Sequence, residues 1–310
     1  MHGSRSAHRL GQAGSGDIAA AAARMADALP PTHDGLHVAD RLAGVPPPPP
    51  AASATGRSTP GSGPLAPTVS VLLAVDGVVH VSDLAVQSFA RHATEELGQS
   101  AAEATRALIG GMRGFLEGRA DLLPSDPAVT EALSRADDGD HAVEILCRAA
   151  GLTPRQIVAA RHASRVDLAN SAWAIDAAPG LPDLLAGIPA DSYVAVVAHD
   201  LTGVPEVVDA VGIASAVDEF LVDAGGTEGR EQVVDHVMVA TGTSSSPDRL
   251  LVVGSRWDPD LAVPHAAGCT TALVDRFERG RGTPTWRDAR LAGLIPEILH
   301  WASFPGAGRA

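Results

Sequence analysis

The sequence predicts an α/β fold: a parallel sheet flanked by helices, with an all-helical insertion after the first strand and a disordered arm before it. Three observations carry this expectation. From Pro179 to Val274, apolar runs of strand length alternate with helix-length segments, the pattern of βαβ units. An earlier apolar run at Val69–Val79 stands apart from them, separated by residues 82–175, which read as consecutive helices. Residues 1–68 are rich in Ala, Gly, Pro and Ser and lack the apolar side chains that would offset the entropy of ordering them.

Within the arm, the run Pro46 to Pro50 predicts a stiff, extended spacer. Asp17 is placed to cap a short helix with Ile18, Ala22, Met25 and Leu29 on one face, either a docking helix or a transient Ala-rich one. Val69–Val79 reads as a buried strand, because its β-branched and aliphatic residues run without alternation, as when both sheet faces are covered. Ser82-Asp83 opens the first inserted helix, whose Leu84, Phe89, Ala93 and Leu97 form an apolar stripe ending at Gly98. Further helices are expected over Ala104–Leu116, Val129–Leu133 and Ala142–Ala150. Another starts at Thr153-Pro154, with Pro in the first turn, where its missing donor does no harm.

After Pro179-Gly180 come a helix at Leu181–Leu185 and a strand at Tyr193–Ala198 that ends at His199-Asp200. A helix at Val204–Val211, a strand at Glu219–Val222 and a helix at Glu231–Ala240 follow. The last predicted elements are a strand at Leu250–Val253, a helix at Leu261–Ala267 and a strand at Thr271–Val274. The resulting division is an arm at 1–68, a core at 69–81 and 176–300, a helical insertion at 82–175 and a C-terminal tail at 301–310.

Composition narrows the function. The 310 residues, 45% of them hydrophobic, are enough to bury a sizeable core. With 37 acidic against 23 basic residues the net charge is −14, which argues against nucleic acid or an anionic membrane as partner, since both need clustered cations. No apolar run approaches the length needed to span a bilayer, and no apolar segment follows Arg5 and Arg9 as a secretory signal would require. Cys147 and Cys269 lie far apart and suggest neither a disulfide framework nor a zinc site, so a reduced, cytoplasmic setting is expected. All 23 basic residues are arginine. That excludes any mechanism needing a lysine of this chain, such as a Schiff base or a P-loop phosphate contact.

Two stretches are the most informative: Val69 to Val79, containing Ala74-Val75-Asp76-Gly77, and Leu250 to Asp260, containing Gly254-Ser255-Arg256-Trp257-Asp258. Each is a strand-like run ending in a polar, Gly-containing turn, and parallel sheets carry their chemistry at the carboxyl ends of the strands. The pair resembles the first and last signature motifs of the haloacid dehalogenase (HAD) superfamily, over roughly residues 69–276. The resemblance implies a Rossmann-like HAD core with the insertion as a helical cap over the carboxyl edge of the sheet.

In that family the first strand ends Asp-x-Asp-Gly, the first Asp attacking phosphorus and the second acting as acid and base. Here Ala74 stands at the nucleophile position and Asp76 at the acid/base position, with Gly77 after it. Asp76 and Gly77 also have a structural use, in the turn after the strand. The family's second motif supplies a hydroxyl at a strand end, where this chain has Ala198, with Thr202 four residues on. His199 and Asp200 follow, as a candidate pair or as a solvated loop and cap. The third motif supplies a lysine, and Arg230 is the cation nearest that place, either an anion contact or surface charge. The fourth supplies metal-binding acids. Gly254, Asp260 and Ala266-Ala267-Gly268 match, Ser255 replaces the principal acid, and Asp258 is a substitute. With Ala74 and Ser255 at ligand positions, no cofactor is expected beyond a weak Mg²⁺ site at Asp260 and Asp258.

Nucleophile, hydroxyl, lysine and main metal ligand are thus lost together, while the glycines and apolar strands that build the fold remain. The favoured expectation is a catalytically degenerate HAD-like protein that binds a protein partner or a small ligand in the cleft. The alternative is an enzyme that reuses the cleft without a phosphoenzyme, drawing on Asp76, His199, Asp200, Asp258 and Asp260 for acid–base work.

Overall fold

The computed structural model describes residues 68–304, except 99, 171–174, 176 and 224. The expectations for the arm, including the helix bearing Ile18, Met25 and Leu29 and the Pro46–Pro50 spacer, lie outside the described residues, as does the end of the expected tail from residue 305.

Strand β1 (Ser70–Ala74) is buried along its whole length. It is followed by five helices, α1 (Leu84–Leu97), α2 (Ala102–Glu117), α3 (Pro127–Ser134), α4 (Gly139–Ala149) and α5 (Pro154–Asn170). The remaining chain forms α6 (Leu181–Gly187), β2 (Tyr193–Ala198), α7 (Val204–Ala210), β3 (Glu219–Val222), α8 (Gly226–Thr241), β4 (Leu250–Gly254), α9 (Ala262–Ala266), β5 (Thr270–Val274), β6 (Trp286–Asp288) and α10 (Leu291–Ser303). The six strands make one sheet in the order β3-β2-β1-β4-β5-β6, with every neighbouring pair parallel. β1 sits between β2 and β4, with Ala74 level with Val197 and Leu73 level with Val253. The turns after β1, β2 and β4 therefore meet at one edge, where the strand order reverses and α/β sheets place ligands.

Side chains alternate across the sheet, and each face has its own cover. Val71 and Leu73 pack with Leu184 of α6, Val207 of α7 and Leu294 of α10. Leu72 and Val252 pack on the other face with Val234 and Val237 of α8. The inserted helices close on a separate cluster built around Phe89, Leu108, Phe115, Leu133 and Leu146. Their starts follow local chemistry. Asp126 and Asp138 cap α3 and α4 through backbone N–H groups, and Thr153 with Gln156 forms a reciprocal capping box before α5. Among the described residues no helix is long and apolar enough to cross a membrane.

Three differences from the expected elements have physical causes. β1 ends at Ala74 rather than Val79, because Val75 accepts from Val79 N–H in a turn. Val78 and Val79 are buried outside the strand, so the length of the apolar run reports burial rather than extension. Beyond Val274 the chain adds β6 and α10, whose Leu291, Leu294, Ile298 and Trp301 recur at helical spacing and are buried. α10 runs past the expected tail boundary at 301, held by Trp301, which donates Nε1–H to the Asp248 carbonyl.

Candidate functional site at the carboxyl ends of β1, β2 and β4

The turns after β1 and β4 interlock. Gly77 has φ +78°, and a Cβ added to it would lie 2.6 Å from the Ser255 Cβ. Ser255 donates Oγ–H to the Asp76 carbonyl at 2.8 Å. Glycine and a short hydroxyl side chain at these two positions let the turns touch.

The Asp76 carboxylate faces the helical insertion. Arg165 of α5, 8% exposed, grips it with both terminal nitrogens, Nη1 donating to Oδ1 at 2.9 Å and Nη2 to Oδ2. His80 Nε2 is 3.5 Å from Oδ1. Burial pushes the Asp76 pKa up, but Arg165 and His80 outweigh it and hold the carboxyl well below the usual range. Asp140 of α4 lies 3.8 Å from the same guanidinium. Its pKa is raised, first by burial and then by the Asp76 and Asp138 charges, with Arg165 opposing.

Asp260 turns inward, beneath Gly254. An added Cβ at Gly254 would lie 2.6 Å from the Asp260 Cβ, so this glycine makes room for the carboxylate. Asp260 Oδ2 accepts the backbone N–H groups of Ser255 and Arg256 at 3.1 and 3.0 Å. Oδ1 faces Nη2 of Arg230 and Nη2 of Arg256, each at 3.4 Å. Arg230, on α8 and almost fully buried, also pairs with Asp223 at 2.9 Å. Arg256 reaches further, its Nη2 3.2 Å from His199 Nε2 and its Nε 3.4 Å from Asp138 of the insertion. Burial works against the charged form of Arg256, but Asp260, Asp138, Asp76 and Asp140 together raise its pKa.

The other expected residues disperse. His199 and Asp200 turn apart: His199 Nδ1 lies 3.3 Å from the Asp223 carbonyl, whereas Asp200 pairs with His162 of α5 at 3.2 Å and accepts from Thr202 N–H. Asp258 is exposed on the turn before α9, away from both Asp76 and Asp260 in hydrogen bonding. Between Ala74, Ala198, Arg230, Arg256 and Asp260 a cavity of about 20 Å³ remains, room for a single water. A second crevice of about 60 Å³ lies between the β1 turn and the insertion, lined by Asp76, His80, Asp137, Asp140, Val274 and Phe277 among others.

No family model and no curated protein matches the chain. Solved structures do. A phosphoglycolate phosphatase candidate from Lactobacillus plantarum aligns over 74% of this chain and 98% of its own, at 12% identity and a TM-score of 0.50. A haloacid dehalogenase-like hydrolase from Streptococcus pneumoniae aligns over 75% and 97%, at 13% identity and a TM-score of 0.47. A magnesium-bound HAD hydrolase from Bacillus subtilis, itself described as showing interdomain movement, aligns over 74% and 98%, at 15% identity and a TM-score of 0.45. The fold is that of the haloacid dehalogenase-like hydrolases, with a helical cap. In this HAD-like fold the insertion is the cap, and α5 brings Arg165 down to the core.

Sequence reasoning named Arg230, which is not surface charge but buried against Asp223 and Asp260, and missed Arg165 and Arg256. Arg165 carried a signal: Ile157, Ala160, Ser164 and Leu168 mark the buried stripe of α5, and Arg165 lies on it. Arg256 sits inside the Leu250–Asp260 stretch itself, and a charge directly after a strand-end Gly-Ser deserved a role. Asp223, Asp138 and Asp140 gave no comparable signal, since acids at helix starts are ordinary caps.

Proposed function

We propose that this protein is a catalytically degenerate HAD-fold protein that acts by binding, with a small ligand in the crevice between cap and core or a protein partner over it. One observation supports this above the others: Asp76 and Asp260, the two carboxylates retained from the motif set, are both neutralised by arginines of the same chain. Ala74 offers a methyl group where the family's nucleophile would stand, in a narrow recess lined by Ala198, Arg230, Arg256 and Asp260. Removing one member of a cooperating catalytic unit can cost nearly as much as removing all, and here four positions differ together.

The residues also fit Mg²⁺ poorly. That ion takes near-octahedral oxygen ligands. Ala74 and Ser255 supply no carboxylate, and both Asp260 oxygens already face N–H donors. Among the described residues no three His, Cys, Asp or Glu side chains group as a metal site. The net charge of −14 suits a partner that is basic or mixed in charge.

The test is hydrolysis of p-nitrophenyl phosphate with millimolar Mg²⁺. The full chain should give no turnover above a protein-free control, and Ala74→Asp should not restore it, because Ala198, Ser255 and Arg230 leave a phosphoryl group without its usual support. Turnover that vanishes in Asp76→Asn would overturn the reading.

A second reading has its own observation. Asp76 and Asp140 share Arg165, yet one pKa is lowered and the other raised, a separation that acid–base enzymes use. It requires a non-phosphate substrate in the crevice whose conversion is lost in Asp140→Asn.

A further inference from the structure

We propose that the tip of the cap is fastened to the core by an electrostatic clasp, formed by residues 135–138 of the cap and arginines from two core loops, and that this clasp sets how readily the crevice opens. The cap touches the core at a base and at a tip, which differ in how far packing or charge dominates. At its base, Ala85 of α1 and Leu168 of α5 join the apolar cluster of the sheet, while Arg165 of α5 pairs with Asp76 and Arg276, after β5, pairs with Asp83 just before α1. At its tip, the apolar side chains belong to the cap's own cluster, which Phe277 alone among the residues of the β5 loop joins, with its ring centroid 4.6 Å from that of Phe115. Polar contacts dominate the rest of the tip.

Arg281 reaches Asp137 at 3.2 Å and donates to the Arg135 carbonyl. Arg279 donates Nε–H to the Ala136 carbonyl at 2.9 Å while its guanidinium lies over the Phe115 ring. Arg256, from the β4 turn, reaches Asp138 at 3.4 Å. Three core arginines thus hold one four-residue segment of the cap, residues 135–138. Guanidinium–carboxylate contacts at the surface are directional and exchange readily for water when the surfaces part, whereas parting an apolar base exposes nonpolar surface. A base that combines packing with the Arg165–Asp76 pair, and a tip fastened mainly by charge, is the arrangement of a hinge with a catch.

Hydrogen exchange followed by mass spectrometry, on the full chain without ligand, tests this. The variant is Asp137→Asn with Asp138→Asn. Asn is as good a helix cap as Asp, so the bond from His141 N–H to residue 138 is kept while the charge is removed. Peptides over 135–142 and 275–282 should exchange about tenfold faster than in the parent, with peptides over β1, β2 and β4 unchanged. High salt should produce part of the same acceleration in the parent. Unchanged exchange at the tip would overturn the clasp, leaving Phe277 and Arg279 as sufficient fastening. Equal acceleration in the strands would overturn it too, by showing that the pairs support the whole fold. If the double variant does not fold, Arg281→Gln, outside the Asp260 network, is read in the same peptides by the same criteria. Because no ligand is involved, failure here leaves the binding reading intact, and turnover in the phosphatase assay leaves the clasp intact.

Discussion

Asp76 and Asp260 close the turns after neighbouring strands, and arginine neutralises both, yet the two sites are built differently. Asp260 is 2% exposed and its partners come from its own lobe: two backbone N–H groups of the β4 turn, Arg256 of that turn and Arg230 of α8. Asp76 is about a third exposed, and its main partner, Arg165, comes from the cap, 89 residues away in sequence. The first carboxylate holds a core turn in shape. The second ties one lobe to the other. The two carboxylates therefore serve different structural ends.

The largest expected effect tests the Asp260 side. Asp260→Ala removes the acceptor shared by two buried guanidinium groups and two backbone N–H groups, and should cost about 3–5 kcal/mol. For a domain of this size that lowers the melting temperature by on the order of ten degrees. Asp260→Asn keeps one oxygen for the backbone donors and should cost less. Urea unfolding of the two variants separates these outcomes, and a loss below about 1 kcal/mol in both would erase the distinction between the sites.

A smaller effect is expected on the Asp76 side. Arg165→Met keeps the length of the side chain but removes the charge that Asp76 and Asp140 share, and should cost roughly 1–3 kcal/mol. Its specific signature is a titration. Carbon-13 NMR of the Asp76 carboxyl should show its pKa rising toward the ordinary range in the variant. A carboxyl that titrates unchanged would mean that Arg165 is not what depresses it.

The smallest effect is a pH dependence with two signs. Asp76 has a lowered pKa, so its contribution to stability is present above the ordinary carboxylate range and is lost as pH falls through its depressed value. Asp140 has a raised pKa, so its contribution is full below the ordinary range and is lost as pH rises through its raised value. Asp140→Asn should therefore be slightly more stable than the parent near pH 7, with the advantage disappearing in acid. A variant less stable at neutral pH would show that the charged form of Asp140 supports Arg165 more than burial opposes it.

Much of this architecture was legible in the chain. Strand-length apolar runs, Pro-led helix starts and the strand-free stretch at 82–175 specified a parallel sheet with a helical insertion, because burial on two faces and capping chemistry act on residues close in sequence. Tyr193–Ala198 and Glu219–Val222 fall where the pattern placed them. The motif positions were legible as well: Gly77, Gly254, Ser255 and Asp260 do meet at one edge of the sheet. What the strand ends hold was not. A guanidinium has a long, flexible reach, and its partner is chosen by which helix face lands over which turn, so Arg165 on Asp76 and Arg256 on Asp138 depend on the docking of the cap. The same reason separates His199 from Asp200, neighbours in sequence whose side chains find partners in different elements. Local sequence determined the strands, the caps and the glycines that let two turns touch; only tertiary structure decided which charges face one another, because that follows from packing between segments far apart in the chain.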